Sequence, residues 1–246
     1  MELLVVIGFI FGLLSIILAQ FIEGSSLLAL INLPALIIVL GGSSAALFIQ
    51  TPKLVLKQAC KISSWILYPP LLEPQKTIEQ LLFWSKKSRQ QGFLSIESSI
   101  YRLKDPFLVR GAELVISGLE IKDIIAIMEY EIDTIESRDL NAAKVFESFG
   151  GYTPTLGILG AVLGLIHVMQ NLSDPANLGS GIAVAFVATV YGVGLANLVF
   201  IPISNRLKSY VFKRTRYYEM YLVGLASFAE GDPSHTIRSK MKSFIC

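Results

Sequence analysis

Charged residues, cysteine and histidine are all scarce in this chain. Lys, Arg, Asp and Glu make up 16% of its 246 residues, well below the roughly 25% of soluble domains. Hydrophobic residues make up 53% and the mean hydropathy is +0.60, so the composition indicates a membrane protein. The two cysteines and two histidines form no cluster with acids. The sequence therefore predicts no metal site and no disulfide framework.

The motifs of common catalytic sites are missing as well. The glycines lie mainly in apolar stretches, and no Gly-Lys-Ser or Gly-Lys-Thr is present to hold a nucleotide phosphate. No serine or cysteine has the paired base that nucleophilic catalysis needs. The net charge is only +2, which gives no reason to expect a nucleic-acid partner. We expect neither an enzyme nor a bound cofactor.

Four apolar stretches approach the ~20 residues that a membrane-spanning helix needs. They cover approximately residues 3–22, 27–49, 149–172 and 182–203. Of the 21 Lys and Arg residues, 13 fall within 53–144 and 8 within 206–242. The positive-inside rule places these two segments, and both termini, in the cytoplasm. A cleaved signal peptide is the alternative for the first stretch, which lacks the basic n-region of such a peptide.

The predicted fold is all-α, a polytopic membrane protein with four transmembrane helices and a helical cytoplasmic domain. Residues 1–50 contain spans 1 and 2, and residues 51–148 form the cytoplasmic domain. Residues 149–203 contain spans 3 and 4, and residues 204–246 form a cytoplasmic helical tail. Both cysteines then lie in a reducing compartment, where we expect no structural disulfide.

Apolar periodicity and glycine breaks outline the cytoplasmic helices. After early breaks that include Pro74, the pattern predicts a helix over 78–91 that ends at Gly92. A second helix is predicted over 105–117. From Glu120 an apolar face recurs at helical spacing with no breaker before the third span, so we expect one long helix that continues into the membrane. The tail is predicted to be helical, with a break at 231–233.

The hairpin of spans 3 and 4 is rich in small residues and contains no acid outside its turn, where Asp174 lies. Small residues let helices in lipid pack closely. Pro154 cannot donate to the carbonyl of Gly150, and Pro202 frees a carbonyl on the returning helix in the same way. Two such prolines at similar depth favour a shared polar site with two free acceptors, while a common transmembrane kink is the alternative for the proline alone. Because an ion path needs a carboxylate, a partner subunit must supply one.

Two further polar residues of the hairpin have two interpretations each. Thr189 can offer its hydroxyl to the polar site, or it can bond back to the carbonyl four residues earlier in its own helix. His167 lies near the outer end of its span, where an ionisable residue suggests a functional role. A hydrogen bond to a neighbouring helix is the alternative for this histidine.

The order of these features resembles the MotA family of flagellar motor stator subunits, in the branch that includes PomA. The resemblance covers nearly the whole chain. It depends on four spans with a large loop after the second, and on Gly150 followed by Pro154. It also depends on three stretches and the tail break: GILGAVLGL at 157–165, SDPANLGSGIAVAF at 173–186, ATVYGVGLANLVFIPI at 188–203 and the residues at 231–233.

The resemblance implies an assembly and a mechanism. Such subunits form a homo-oligomeric ring, a pentamer, in the lipid of the bacterial inner membrane. The ring surrounds a dimer of a MotB- or PomB-type partner, whose single membrane helix carries an essential aspartate. Pro154 and Pro202 match the family's two prolines, the first of which borders that aspartate. Ion passage would then drive rotation against the rotor protein FliG.

One cytoplasmic stretch is similar to the family's rotor-facing segment. The sequence RQQGFLSIE begins at Arg89 and ends at Glu97, and these two residues match the charges that contact FliG. The chain departs from its PomA-type relatives at Gln90, Ser98 and Ile100, where they carry further charges. The resemblance thus implies a weaker or differently placed electrostatic contact. A solvated surface pair is the alternative.

The resemblance also bears on the transported ion. Sodium needs several oxygen ligands, whereas a proton needs only the partner's carboxylate and a path of water. Sodium-driven relatives carry threonines at the positions of Ala161 and Ala188, while this chain keeps only Thr189. This favours protons, with sodium as the alternative because backbone carbonyls can bind a cation. Two other functions stay open: an ExbB/TolQ-type energiser of an outer-membrane system, and a scaffold without an ion path.

Overall fold

Every regular element of the described chain is a helix. The computed structural model describes residues 3–22, 24, 30–170 and 175–245, and it contains no strand in these ranges. The α-helices are α1 (Leu3–Ile22), α2 (Leu33–Leu36), α3 (Gly42–Gln50), α4 (Lys53–Ser63), α5 (Pro74–Gln91), α6 (Glu97–Ile100), α7 (Pro106–Ile116), α8 (Ile121–Gln170), α9 (Pro175–Leu195), α10 (Ile201–Ala229) and α11 (Ser234–Lys242). Two π-helical segments, Ile37–Gly41 and Ala196–Phe200, connect α2 to α3 and α9 to α10. The all-α prediction is confirmed for these residues.

The chain divides into two compact units, and it passes from one to the other after Pro69, inside α8 and inside α10. The first unit comprises Met1–Pro69 and Asp139–Lys208, and the second comprises Pro70–Arg138 and Ser209–Cys246. The boundaries predicted from hydropathy lie elsewhere, at 148 and 203. Hydropathy follows exposure to lipid, whereas compactness follows side-chain packing, so the two divisions need not coincide.

Among the described residues, three helical runs are long and apolar enough to cross a membrane. They are Leu33–Gln50, part of Ile121–Gln170 and part of Leu178–Ala229. The shorter apolar stretch Ile7–Ile22 belongs to α1, whose 20 residues begin at Leu3. These runs correspond to the second, third and fourth predicted spans, and the count of four spans stays a prediction.

The second span begins later than the sequence predicts. Asn32 is the N-cap of α2, and its side-chain oxygen accepts a hydrogen bond of 3.1 Å from the amide of Ala35. Pro34 lies in the first turn, where its missing N–H costs no helical hydrogen bond. The predicted residues 27–29 lie outside the described ranges.

Helix α8 confirms the prediction of one long helix that includes Pro154. It contains 50 residues, which corresponds to a length of ~75 Å at 1.5 Å per residue. Its apolar spacing in the cytoplasmic part and the absence of a breaker before Phe149 are the sequence features that predict this continuity.

Backbone contact between α8 and α9 holds the membrane part of the first unit together. A Cβ atom placed on Gly192 would lie 2.6 Å from the Thr153 carbonyl oxygen, and one on Gly157 would lie 2.8 Å from the Ala188 carbonyl oxygen. Gly164 makes a similar contact with α9. Because no side chain fits at these three positions, the small residues of the hairpin have the packing role predicted for them.

Helix α4 is not predicted by the sequence, because its lysines interrupt any apolar run. Its inward face packs against α8 through Ala59 and Ile62, which are both buried. The Gln58 amide donates to the carboxylate of Asp139 at 2.5 Å. The buried hydroxyl of Ser204 also donates to α8, to the backbone carbonyl of Ala143 at 2.9 Å.

The second unit has one apolar core, to which α5, α7, α8, α10 and α11 contribute. Its large buried side chains include four aromatic residues: Trp84, Phe107, Tyr221 and Phe228. At the edge of this core, Asp105 caps the start of α7 and also accepts a hydrogen bond of 3.0 Å from the hydroxyl of Tyr218.

The predicted ends of the cytoplasmic helices are confirmed, and one predicted start is wrong. Gly92 and Gly118 follow α5 and α7 with φ angles of +76° and +75°, which glycine adopts at no steric cost. Helix α5 begins at Pro74 rather than near residue 78. Proline is compatible with the first turn of a helix, so Pro74 starts this helix instead of preventing it.

Candidate functional site

The Gly150 carbonyl, which Pro154 leaves without its usual helical donor, is not free. Thr153 is fully buried, and its hydroxyl donates to the Gly150 carbonyl oxygen at 3.2 Å. The prediction of a free acceptor here is therefore wrong. The side chain next to the proline supplies the donor that the proline lacks, as threonine hydroxyls do in membrane helices.

Gly192 of α9 lies directly against the turn that contains Pro154. A Cβ atom on Gly192 would lie 3.1 Å from the Cα atoms of both Pro154 and Gly157. Pro154 itself is only half-buried. One side of this proline turn thus packs against the backbone of α9 at Gly192, while another side is open to contact with a further protein.

The structure does not bring the two prolines together at one depth. Gly150 faces the start of α10, since a Cβ atom on it would lie 2.9 Å from the side chain of Ile201. The two helices are antiparallel, so Pro202 lies beyond Gly150, roughly 9 Å along α8 from Pro154 at 1.5 Å per residue. Pro202 is exposed and follows the π-helical segment Ala196–Phe200.

Of the residues that bear on ion choice, Thr189 is hydrogen-bonded within its own helix and Ala188 is packed against α8. Thr189 donates to the carbonyl of Ala185 at 3.3 Å, as the back-bonding interpretation predicts. Ala188 is fully buried and faces α8, where a Cβ atom on Gly160 would lie 2.7 Å from its methyl group. Ala161 is half-buried.

His167 is an exposed residue near the outer end of α8. Its imidazole lies beside α9, 3.4 Å from the position that a Cβ atom on Gly181 would take. Asp174, the acid of the hairpin turn, lies outside the described residues. Within the described ranges, no three His, Cys, Asp or Glu side chains come together as a metal site.

Tyr191 has a structural role that the sequence does not predict. Its hydroxyl donates to the carbonyl of Leu30 and accepts a hydrogen bond of 3.2 Å from the amide of Asn32. This bonding attaches the start of the second span to α9. The only signal in the sequence is a polar tip on an aromatic residue within a span, which needs a partner when it is buried.

In the second unit, Arg89 binds the break in the tail. Its guanidinium donates to the carbonyl oxygens of Gly231 at 3.0 Å and Asp232 at 2.5 Å. Gly231 has a φ angle of +79°, which lets the chain turn from α10 into α11. The sequence does not predict this contact, because Arg89 and Gly231 are 142 residues apart.

Asp232 connects the same turn to α11. Its carboxylate accepts hydrogen bonds from the hydroxyl of Ser227 and from the ammonium of Lys240, the latter at 2.8 Å. The bond from Lys240 and then that from Ser227 lower the pKa of Asp232, and the Asp232 carboxylate raises the pKa of Lys240. Ile237 and Met241 of α11 are fully buried, so the tail is a folded part of this unit.

Glu97 lies at the first position of α6 and is exposed. Between Arg89 and Glu97, Phe93 packs edge-on against Phe228 of α10, with ring centroids 5.3 Å apart. The segment from Arg89 to Glu97 is therefore held against the end of α10 and the tail turn by both a hydrogen-bonded cation and an aromatic contact.

Known proteins match this chain in both sequence and structure. The sequence model of the MotA/TolQ/ExbB proton channel family matches residues 99–220. Motility protein A of Bacillus subtilis (strain 168) is 31% identical over 245 residues, covering 97% of this chain and 89% of that protein.

Two solved structures are similar over nearly their whole length. The structure of C. jejuni MotAB matches with a TM-score of 0.92 at 26% identity, covering 100% of this chain and 96% of that one. The structure of the flagellar MotAB stator complex from Bacillus subtilis matches with a TM-score of 0.85 at 30% identity, covering 97% and 94%.

Proposed function

The chain belongs to the motility protein A family, within the MotA/TolQ/ExbB proton channel family, and from this premise we propose that it is an ion-conducting stator subunit of the bacterial flagellar motor. Such a subunit stays fixed in the inner membrane and converts ion flow into torque on the rotor protein FliG. Members of this family act as channel and torque-generating subunits, not as enzymes.

The observation that carries this proposal is the half-buried turn at Pro154. Its inner side is closed by Gly192, its Gly150 carbonyl is occupied by Thr153, and the apolar spans 149–172 and 182–203 contain no Asp or Glu. An ion site here needs an acid from outside the chain. The aspartate of a MotB- or PomB-type partner, set against the open side of Pro154, would complete the site. The similar solved structures are MotAB complexes, which supports such a partner.

The proposed assembly is a pentameric ring of this chain around a dimer of that partner, with four spans per subunit and both termini in the cytoplasm. Large apolar side chains are exposed on several membrane helices, including Phe11, Ile158 and Phe186. Apolar patches of this kind need lipid or a neighbouring subunit to cover them. The exposed apolar surface therefore supports a membrane-embedded ring.

We propose protons as the transported ion, with no cofactor. Thr189 uses its hydroxyl within its own helix, and Ala188 has no oxygen and is packed against Gly160. The described hairpin thus offers few side-chain oxygens to replace the hydration shell of sodium. A proton needs only the partner's carboxylate and water. Each charge that crosses the membrane supplies ~2.3 kcal/mol per 100 mV, which is available as work on the rotor.

The ion assignment is tested by swimming speed in cells whose only stator contains this chain and its cognate partner. We expect the speed to be independent of external sodium and to collapse when a protonophore is added. A speed that follows external sodium would overturn the proton assignment and keep the torque generator. A stable complex that supports no swimming would favour the ExbB/TolQ-type alternative.

We further propose that Arg89 and Glu97 contact FliG, and Arg89→Glu tests this contact. The reversal is expected to reduce swimming strongly, because it removes a rotor-facing cation and also the two bonds to the Gly231 and Asp232 carbonyls. If the lost rotor contact is the main cause of this defect, a positive charge introduced on the rotor should restore part of the swimming speed. The measurement is swimming speed across a panel of rotor charge variants.

Asp232→Asn is the matched control for the tail. It removes the ion pair with Lys240 and keeps the Arg89 charge, so it loosens the tail turn without changing the proposed rotor contact. Near-normal swimming in this variant would assign the Arg89→Glu defect to the rotor. Failure of every rotor charge to restore Arg89→Glu, together with a defect in Asp232→Asn, would make Arg89 a residue that supports the tail only.

A further inference from the structure

Ser43 is a buried hydroxyl with no hydrogen-bond partner among the described residues. The side chain has an exposed fraction of 0%, and its oxygen forms no hydrogen bond. Serines in helices ordinarily donate to a carbonyl three or four residues earlier, as Ser15 does to Phe11 in α1. Ser43 differs from it in lying two residues after the π-helical segment Ile37–Gly41, whose carbonyls are displaced from the regular α-helical positions.

The position of Ser43 in the span makes its polarity notable. The residues at four-residue intervals along this face are all buried: Ala35, Val39, Ser43 and Leu47. Ala35 and Val39 pack in one apolar cluster with residues of α9, and Leu47 packs in another with residues of α8. Ser43 is the polar member of this stripe and lies between the two clusters. A buried hydroxyl without a partner is costly, so the site needs a polar group that neither cluster provides.

The contacts of neighbouring residues place Ser43 at the level of Pro154. A Cβ atom on Gly42 would lie 2.5 Å from the side chain of Leu156, and one on Gly160 would lie 3.4 Å from that of Ile38. The pairs 42 with 156 and 38 with 160 show that the second span and α8 are antiparallel. Ser43, the residue after Gly42, therefore lies level with the residue before Leu156, which is next to Pro154.

A second buried hydroxyl is present at this level. Thr153 donates its hydroxyl proton to the Gly150 carbonyl, and its oxygen keeps lone pairs that can accept. A buried water needs two to four polar partners. Ser43 can both donate to and accept from a water, and Thr153 can accept from the same molecule.

We propose that Ser43 binds an ordered water molecule, which joins the second span to α8 at the Pro154 turn. The water satisfies the hydroxyl of Ser43 and donates to a polar group of α8 at this level, for which the Thr153 oxygen is the candidate. This is a structural water site inside one subunit. It does not depend on the proposed ion path, which lies on the open side of Pro154.

The test compares Ser43→Ala with Ser44→Ala in the purified complex of this chain with its partner. Both variants gain the same helix propensity, since alanine is the better helix former, and Ser44 is only half-buried. Removing an unpaired hydroxyl should stabilise the complex, whereas removing one that holds a water should destabilise it. We expect Ser43→Ala to lower the melting temperature by about 2–4 °C, and Ser44→Ala to leave it unchanged or raise it.

Two outcomes would overturn the proposal. One is a Ser43→Ala complex that melts at or above the temperature of Ser44→Ala. The other is a high-resolution map of the wild-type complex with no water peak within hydrogen-bond distance of the Ser43 oxygen, a measurement that stands even if the variant fails to assemble. The melting temperature is measured without ion flow. The water site and the stator function can therefore fail independently, the first in the melting experiment and the second in the swimming assay.

Discussion

Gly192→Val is expected to prevent this chain from accumulating as a folded membrane protein. Even a Cβ atom at this position would lie 2.6 Å from the Thr153 carbonyl oxygen and 3.1 Å from the Cα atoms of Pro154 and Gly157. These neighbours are backbone atoms of α8, so they cannot turn aside as a side chain would. Overpacking a core costs about 1–3 kcal/mol when side chains can adjust, and a clash with backbone should cost at least as much.

Gly194→Val is the matched control, two residues further along the same helix run. A Cβ atom on Gly194 meets no atom within 4 Å in this chain, and the two substitutions add the same side chain to the same helix. The measurement is the amount of each variant in the membrane fraction and its melting temperature in detergent. Equal loss in both variants would contradict the contact between α8 and α9 and would point to a general intolerance of valine here.

Pro154→Ala is expected to abolish swimming while the protein still inserts and assembles. Alanine is more favourable than proline inside a helix by ~3 kcal/mol, so α8 itself should not be weakened. The new N–H at residue 154 would compete with the Thr153 hydroxyl for the Gly150 carbonyl. The turn that is open to the partner would then relax toward a regular helix, and the partner's aspartate would lose the surface against which it is proposed to act.

Thr155→Ala is a suitable control for this experiment. Thr155 is adjacent and exposed, and its hydroxyl donates to the carbonyl of Tyr152 in its own helix. Swimming speed and the amount of partner that copurifies are measured for both variants. Normal swimming by Pro154→Ala would contradict the proposed site at this turn. Loss of the protein from the membrane would instead make Pro154 a folding residue.

The comparison of Pro154 with Pro202 shows where reasoning from local sequence is insufficient. Both prolines remove a helical donor, and the sequence predicts a free carbonyl for each at similar depth. Each proline lacks a backbone N–H whatever surrounds it, so this part of the prediction does not depend on packing. Whether the Gly150 carbonyl stays free depends on the rotamer of Thr153, and the offset of the two prolines depends on how α10 packs against Gly150.

The same distinction applies in the second unit. The turn at Gly231 and the end of α5 at Gly92 follow from glycine's access to positive φ, and each is visible in the sequence. The bond from Arg89 to the Gly231 carbonyl is not visible there. It exists because α5 and the tail turn are brought together by a core formed from distant parts of the chain.

The sequence by itself determined the helical class, the apolar runs, the length of α8 and the helix ends at glycine. These depend on periodicity and backbone freedom within a few residues. Only the tertiary structure decided that Thr153 occupies the Gly150 carbonyl, that Arg89 binds the tail turn, and that Ser43 is buried with no hydrogen-bond partner among the described residues. The physical reason is that hydrogen bonding of a buried polar group depends on which helices surround it, and composition does not specify those neighbours.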